Sequence, residues 1–257
     1  MTLINLTNIF TTPLSSAAQS PKISFRSAGM ETFRYNELER PQDNFVSNPL
    51  SSDLDASGIE RLAKSNPKIM QLLKGNVVVN YDELTALKKG HLNDTRVIAA
   101  KIYSNLNDEL KKEINMKDIQ QAAMLHDYGK VLIPKKILYK ECSLTPEEKG
   151  IMELHSELGY ELLKQQGVNE RVLNLIKYHH QKPDGSGYPA KNENDNFEYG
   201  LSLQNLIAAD KYSALTEERC YRKDAFNKKN ALDIIYEDVK TGLISQEVYD
   251  ALRKSVI

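Results

Sequence analysis

Cysteine is nearly missing from this sequence: Cys142 and Cys220 are the only two among 257 residues. Without CxxC spacing they support neither a disulfide framework nor a cysteine zinc site, and a reducing cytoplasm is the compartment expected. Long apolar runs are missing as well. No stretch approaches the roughly 20 residues of a membrane span, and Met1–Ser20 has neither the basic start nor the continuous apolar centre of a signal peptide. Nor is either charge in surplus: 34 basic residues stand against 35 acidic ones. That balance gives no electrostatic case for binding a DNA or RNA polymer or a membrane surface, so any phosphate site must come from a local cluster.

What is present is helical pattern. Residues 1–52 are rich in Ser, Thr, Asn and Pro with few periodic apolar positions, and read as a mostly disordered tail. Residues 53–88 carry Ile59, Leu62 and Ala63, then Ile69, Leu72 and Leu73, then Leu84 and Leu87, which predicts two or three short amphipathic helices punctuated by Pro67, Gly75 and Gly90. From 89 to 257 helical periods follow one another with almost no period-2 alternation. The expected fold is an all-α bundle of six or seven helices behind a short N-terminal helical segment.

Thr145-Pro146-Glu147-Glu148 is the clearest start signal, with Thr145 as cap, Pro146 at the first helical position and Glu148 closing a capping box. The helix it opens carries Ile151, His155, Leu158 and Leu162 on one face and stops at Gly167. A second is expected from Asn169 through Val172, Leu173 and Ile176 into His179 and His180. A third runs through Leu203, Leu206 and Ile207 to Asp210 and Ala214.

Five histidines occur, and His126, His155, His179 and His180 fall within 55 residues on inward faces of these helices. A lone histidine is more often a hydrogen-bonded core or surface residue than a ligand. That reading weakens when several imidazoles point inward together, since each needs its own buried partner. His126 is followed by Asp127 after the apolar run Ala122–Leu125, and a carboxylate at the end of a buried helix needs a cation nearby. On one helix His179 and His180 would diverge by about 100° and serve two neighbouring ions, with Asp127 bridging. Nitrogen and carboxylate ligands without thiolate suit iron or manganese, with zinc, nickel and cobalt as alternatives. Two divalent ions are the central expectation, with one or three as the bounds, and paired ions suit phosphoester hydrolysis. Among nearby basic residues, most read as solvated surface; Lys130 and Arg222 stand inside motifs.

Four segments together resemble the HD-GYP subgroup of HD phosphohydrolases, enzymes that hydrolyse cyclic di-GMP. They are His126-Asp127-Tyr128-Gly129-Lys130; Leu144-Thr145 through Glu148 into His155 and Gly159; His179-His180-Gln181-Lys182-Pro183-Asp184-Gly185-Ser186-Gly187-Tyr188-Pro189; and Ala209-Asp210-Lys211-Tyr212 with Tyr221-Arg222 beyond it. The resemblance covers roughly Lys89–Leu252. It implies that His126, Asp127, His155, His179, His180 and Asp210 are metal ligands, that Asp127 and Lys130 carry catalysis, and that Lys130 and Arg222 hold substrate phosphate. The turn Gly185–Pro189, with Gly185, Gly187, Tyr188 and Pro189, would form the pocket wall, and Asp184 would orient it.

The sequence departs from the subgroup's pattern where Gln181 replaces a common acidic residue, Ser213 replaces Asp or Lys, and Cys220 replaces Pro. The subgroup's first ligand histidine precedes the Val of an Arg-Val pair by four residues, which is Asn93 here, and His91 comes two residues early. Helical geometry favours His91 instead, because Thr95, Ile98, Ile102 and Leu106 follow it on one face. His91 is therefore taken as the remaining ligand, the alternative being that it caps or packs at the helix start. The function expected is metal-dependent hydrolysis of a cyclic dinucleotide, foremost cyclic di-GMP, to a linear dinucleotide, with GMP as the product of any second cleavage. The alternatives are a weakly catalytic cyclic-dinucleotide sensor and an HD hydrolase of another nucleotide phosphoester. A regulatory protein partner or a second copy of the chain completes the expected partners.

Overall fold

Short polar side chains open most of the helices. Asp55, Asn66, Asn107, Asn115, Thr145, Asn169, Asn227 and Ser245 each turn a side-chain oxygen onto a first-turn backbone N–H, satisfying a donor that the helix itself cannot pair. The computed structural model describes residues 55–87, 90–190, 197–217 and 225–257, all of them in the unit Val46–Ile257. The tail expected over residues 1–52 lies outside the described residues.

The elements in order are α1 (Ala56–Ser65), α2 (Pro67–Leu72), α3 (Tyr81–Leu87), α4 (His91–Asn105), α5 (Asp108–Lys112), α6 (Met116–Leu125), a 3-10 turn (Tyr128–Leu132), α7 (Lys135–Leu138), α8 (Pro146–Glu153), α9 (His155–Lys164), α10 (Glu170–Tyr178), α11 (Leu201–Thr216), α12 (Lys228–Lys240) and α13 (Gln246–Val256). Among the described residues no strand forms; the one isolated bridge joins His180 to Tyr188. Among the described residues from His91 onward the long helices number seven when α8 and α9, separated only by Leu154, are taken as one. No helix among the described residues is long and apolar enough to cross a membrane.

The middle of the bundle is α4, packed against α6, α11 and α13, while α10 lies across α6 and α9. Val172, Leu173 and Ile176 of α10 and Leu158, Leu162 and Leu163 of α9 are buried, each contributing on the order of 1.5–3 kcal/mol through burial. The N-terminal helices sit on the same core: α1 and α2 contact α9, and α3 contacts the 3-10 turn, where the Asn80 N–H donates to Val131 O at 2.6 Å.

One contact fixes the part of the fold that matters most for the site. Gly129, in the 3-10 turn, meets Gly159, one turn into α9, and a Cβ on Gly129 would fall 1.9 Å from His155 O and 2.5 Å from Gly159 N. Both neighbours are backbone and cannot swing aside, so only glycine lets the turn after Asp127 lie against the start of α9. We expect Gly129→Ala to cost ~3 kcal/mol or more by overpacking, lowering Tm by roughly 5–10 °C. An unchanged thermal melt would count against this packing.

Candidate metal centre

The histidines occupy helix ends rather than helix faces. His126 is the residue after α6, His155 the first of α9 and His179 the residue after α10. All three are buried. Each ring turns Nδ1 onto the carbonyl three residues back: His126 onto Ala123 O at 2.9 Å, His155 onto Met152 O at 2.8 Å and His179 onto Ile176 O at 2.6 Å. A carbonyl only accepts, so Nδ1 carries the proton, and whenever the ring is neutral Nε2 is left as a bare lone pair.

Those lone pairs converge. His155 Nε2 and His179 Nε2 lie 3.2 Å apart, a repulsive arrangement unless a cation lies between them. His126 Nε2 is buried without a hydrogen-bond partner, 3.6 Å from Asp127 Oδ2 and 3.5 Å from Asp210 Oδ1. Converging imidazole lone pairs and carboxylates fit a metal ion, and the nitrogen and oxygen donor set is one that divalent transition metals accept.

Two groups of potential ligands result, His91–His126–Asp127 and His155–His179–His180, each with its ligand atoms within 4.8 Å of one another. Asp127 stands between them. Its Oδ1 is 3.5 Å from His155 Nε2, while its Oδ2 faces His126 and lies 4.0 Å from His91 Nε2. Asp210 adds to the first group, its Oδ1 being 2.9 Å from His91 Nε2. The divergence expected of neighbours on a continuous helix does not arise for His179 and His180, because α10 ends at Tyr178. Their rings lie 4.0 Å apart and both join His155.

Electrostatics separates the two groups. Burial, with the neighbouring His180 and Lys130 charges, pushes His155 down to about 3 against the pull of Asp127, and burial likewise holds His179 well below its ordinary value. These rings stay neutral. Burial also opposes charge on His126, but Asp127 and Asp210 outweigh it and raise its pKa. Burial would raise the carboxyls of Asp127 and Asp210; for Asp127 the Lys130 ammonium and His126 prevail, and for Asp210 the neighbouring His126 and His91 prevail, so both sit well below the usual carboxylate range.

Lys130 Nζ bonds Asp127 Oδ2 at 2.6 Å, which puts the catalytic candidate at the junction of the two groups. Tyr188 stacks on His180 with centroids 4.7 Å apart, so the Gly185–Pro189 turn closes one side of the site. Gly187 passes so near His180 O that a Cβ would fall 2.3 Å from it; Gly185 has open space around it and is needed for its φ of +79°. Asp184 accepts from the Ser186 N–H at 2.9 Å and shapes the turn from its exposed side. Arg222 and Cys220 lie outside the described residues.

Gln181 is the residue that sequence reasoning saw only as a departure. It is buried, and its Oε1 accepts from the Lys182 and Gly187 N–H groups at 2.9 Å each while Nε2 donates to Pro189 O at 2.7 Å. An amide supplies both senses of hydrogen bond and so clamps the turn. Its contacts lie six and eight residues ahead, where no helical or strand period reaches.

A family model described as an HD domain matches residues 79–248, well over half of the chain. The chain belongs to the HD-domain family. Relatives of this HD protein include a cyclic di-GMP phosphodiesterase of Thermotoga maritima, 35% identical over 148 residues, or 55% of this chain and 38% of the relative. The cyclic di-GMP phosphodiesterase response regulator RpfG of Xanthomonas campestris is 35% identical over 54% of this chain and 36% of its own length. The 3'3'-cGAMP-specific phosphodiesterase 2 of Vibrio cholerae is 38% identical over 40% of this chain and 20% of its own. These names are consistent with the HD-GYP subgroup. The chain spans well under half the length of the curated relatives it matches.

Within the HD domain, the competition between His91 and Asn93 has a geometric answer. His91 lies in the centre with Asp210, whereas Asn93 is exposed and accepts from Arg96 Nη2 at 2.9 Å. Thr95, Ile102 and Leu106 on the His91 face are buried. We expect His91→Ala to lower metal stoichiometry and Asn93→Ala to leave it unchanged in metal analysis; the reverse ranking would return the ligand role to Asn93.

Proposed function

We propose that this chain is a metal-dependent phosphodiesterase that opens a cyclic dinucleotide, foremost cyclic di-GMP, to its linear form. The observation that carries the reading is Asp127, with one carboxylate oxygen toward His155 and the other toward His126 and His91. In this reading His91, His126, Asp127 and Asp210 would hold one divalent ion, and Asp127, His155, His179 and His180 a second, with iron or manganese suiting the donor set. When bound, such a pair supplies Lewis acidity that activates water and neutralises phosphate oxygens. The chain's own residues do the rest. Lys130 pairs with the charge of the transferring phosphate, Gln181 keeps the Gly185–Pro189 turn against the site, and Tyr188 covers His180 on the substrate side. Arg222 is proposed as a second phosphate contact. A reducing cytoplasm and a regulatory partner or second copy of the chain belong to the same proposal.

The name of the Vibrio cholerae relative makes 3'3'-cGAMP a second substrate worth the same assay. Incubation with manganese and each cyclic dinucleotide, followed by product separation, tests the reading: a linear dinucleotide should appear first, because in-line attack breaks one phosphoester at a time. Tight binding without turnover across manganese and ferrous iron would favour the sensor.

A further inference from the structure

The histidines of the centre do not all obtain their orientation in the same way. His126, His155 and His179 each turn Nδ1 onto a backbone carbonyl at 2.6–2.9 Å, which fixes the tautomer that leaves Nε2 for a ligand. His91 differs. It opens α4, and its buried Nδ1 has no hydrogen-bond partner within normal bonding distance. The group facing it is a carboxylate: Glu217 Oε2 lies 3.5 Å from His91 Nδ1.

The same helix supplies the group on the other side of the ring. Asp210 and Glu217 are seven residues apart along α11 and its C-terminal cap, two turns, so both come to one face. Asp210 Oδ1 meets Nε2 at 2.9 Å and Glu217 stands at Nδ1. The imidazole is bracketed by two carboxylates with different positions relative to the centre. Asp210 lies on the side of His126 and Asp127, while Glu217 faces the ring nitrogen turned away from them.

We propose that Glu217 is a positioning residue for His91, its carboxylate accepting the Nδ1 proton and so holding Nε2 toward the ion shared with His126, Asp127 and Asp210. This rests on the metal-centre reading above. A carboxylate behind a ligating histidine fixes ring and tautomer and raises ligand basicity. It is the device His91 needs, because His91 lacks the carbonyl contact of its three neighbours. Glu217 is itself partly exposed, so replacing it leaves the core intact.

Manganese(II) titration of the full chain, followed by the electron paramagnetic resonance signal of the free ion, tests this on the unaltered protein, Glu217→Ala and Glu217→Gln. Glu217→Ala should weaken one class of bound manganese by ~10–100-fold and leave the other unchanged. Glu217→Gln, whose amide oxygen still accepts the Nδ1 proton, should restore most of that loss. Binding by Glu217→Ala equal to that of the unaltered protein overturns the role while leaving the metal centre standing. A Gln variant as weak as the Ala variant also overturns it, since it shows the charge acting on the ion directly, and so does an equal weakening of both classes with a lowered melt. Absence of manganese binding in the unaltered protein overturns the centre and this role together.

Discussion

Asp127→Asn should strip the protein of both ions and lower turnover by at least ~10²–10³-fold, the loss seen when one preorganised electrostatic group is removed. The reason lies in the two oxygens of one carboxylate. Oδ1 stands 3.5 Å from His155 Nε2 and Oδ2 stands 3.6 Å from His126 Nε2, so each group of ligands borrows half of the same side chain. An asparagine has one acceptor oxygen and turns an NH2 donor to the other side, where it meets lone pairs that accept a proton but no longer share an ion. The fold should persist, because the amide keeps the size and shape of the carboxylate and the Lys130 side chain, 19% exposed, can turn its charge to solvent. Metal analysis beside a thermal melt separates the two effects. Retention of both ions by a folded Asp127→Asn protein would show that the carboxylate does not bridge.

Lys130→Ala should behave in the opposite sense for metal and in the same sense for rate. Its Nζ sits 2.6 Å from Asp127 Oδ2 with a side chain 19% exposed, close enough to the ligand groups to meet a phosphate yet open to solvent. Lysine offers no lone pair while protonated and cannot hold a cation, so metal content should stay as it was. Turnover should fall by ~10²–10³-fold, and the fall should appear in kcat more than in KM, because the negative charge it meets grows in the transition state. Steady-state kinetics on cyclic di-GMP measures both. Normal turnover in this variant would remove Lys130 from the mechanism.

Much of the local structure was legible because it is encoded locally. Thr145 and Glu148 form the capping box their spacing announces, Asn169 caps α10, and Val172, Leu173 and Ile176 fill the core as their period requires. The gathering of the histidines was legible as well, since residues that would be costly to bury singly recur in successive helical segments. What escaped the sequence depends on where helices stop. The rod from Pro146 breaks at Leu154, so Ile151 is only half-buried and His155 begins a helix instead of riding along one. The end of α10 at Tyr178 likewise sends His179 and His180 to one group of ligands, where a continuous helix would have parted them. Helix ends of this kind are set by tertiary contacts more than by propensity. Gln181 and Glu217 escaped for a related reason: the first acts on a turn ahead of it, and the second on a ring 126 positions earlier in the chain.

The central claim is that a paired metal centre is built on Asp127, and the metal content of the protein purified without oxygen tests it most directly. Elemental analysis should find about two transition-metal ions per chain, iron or manganese foremost, as a two-ion phosphodiester site requires. A folded protein that carries no transition metal, and takes up none when manganese or ferrous iron is supplied, would contradict the account.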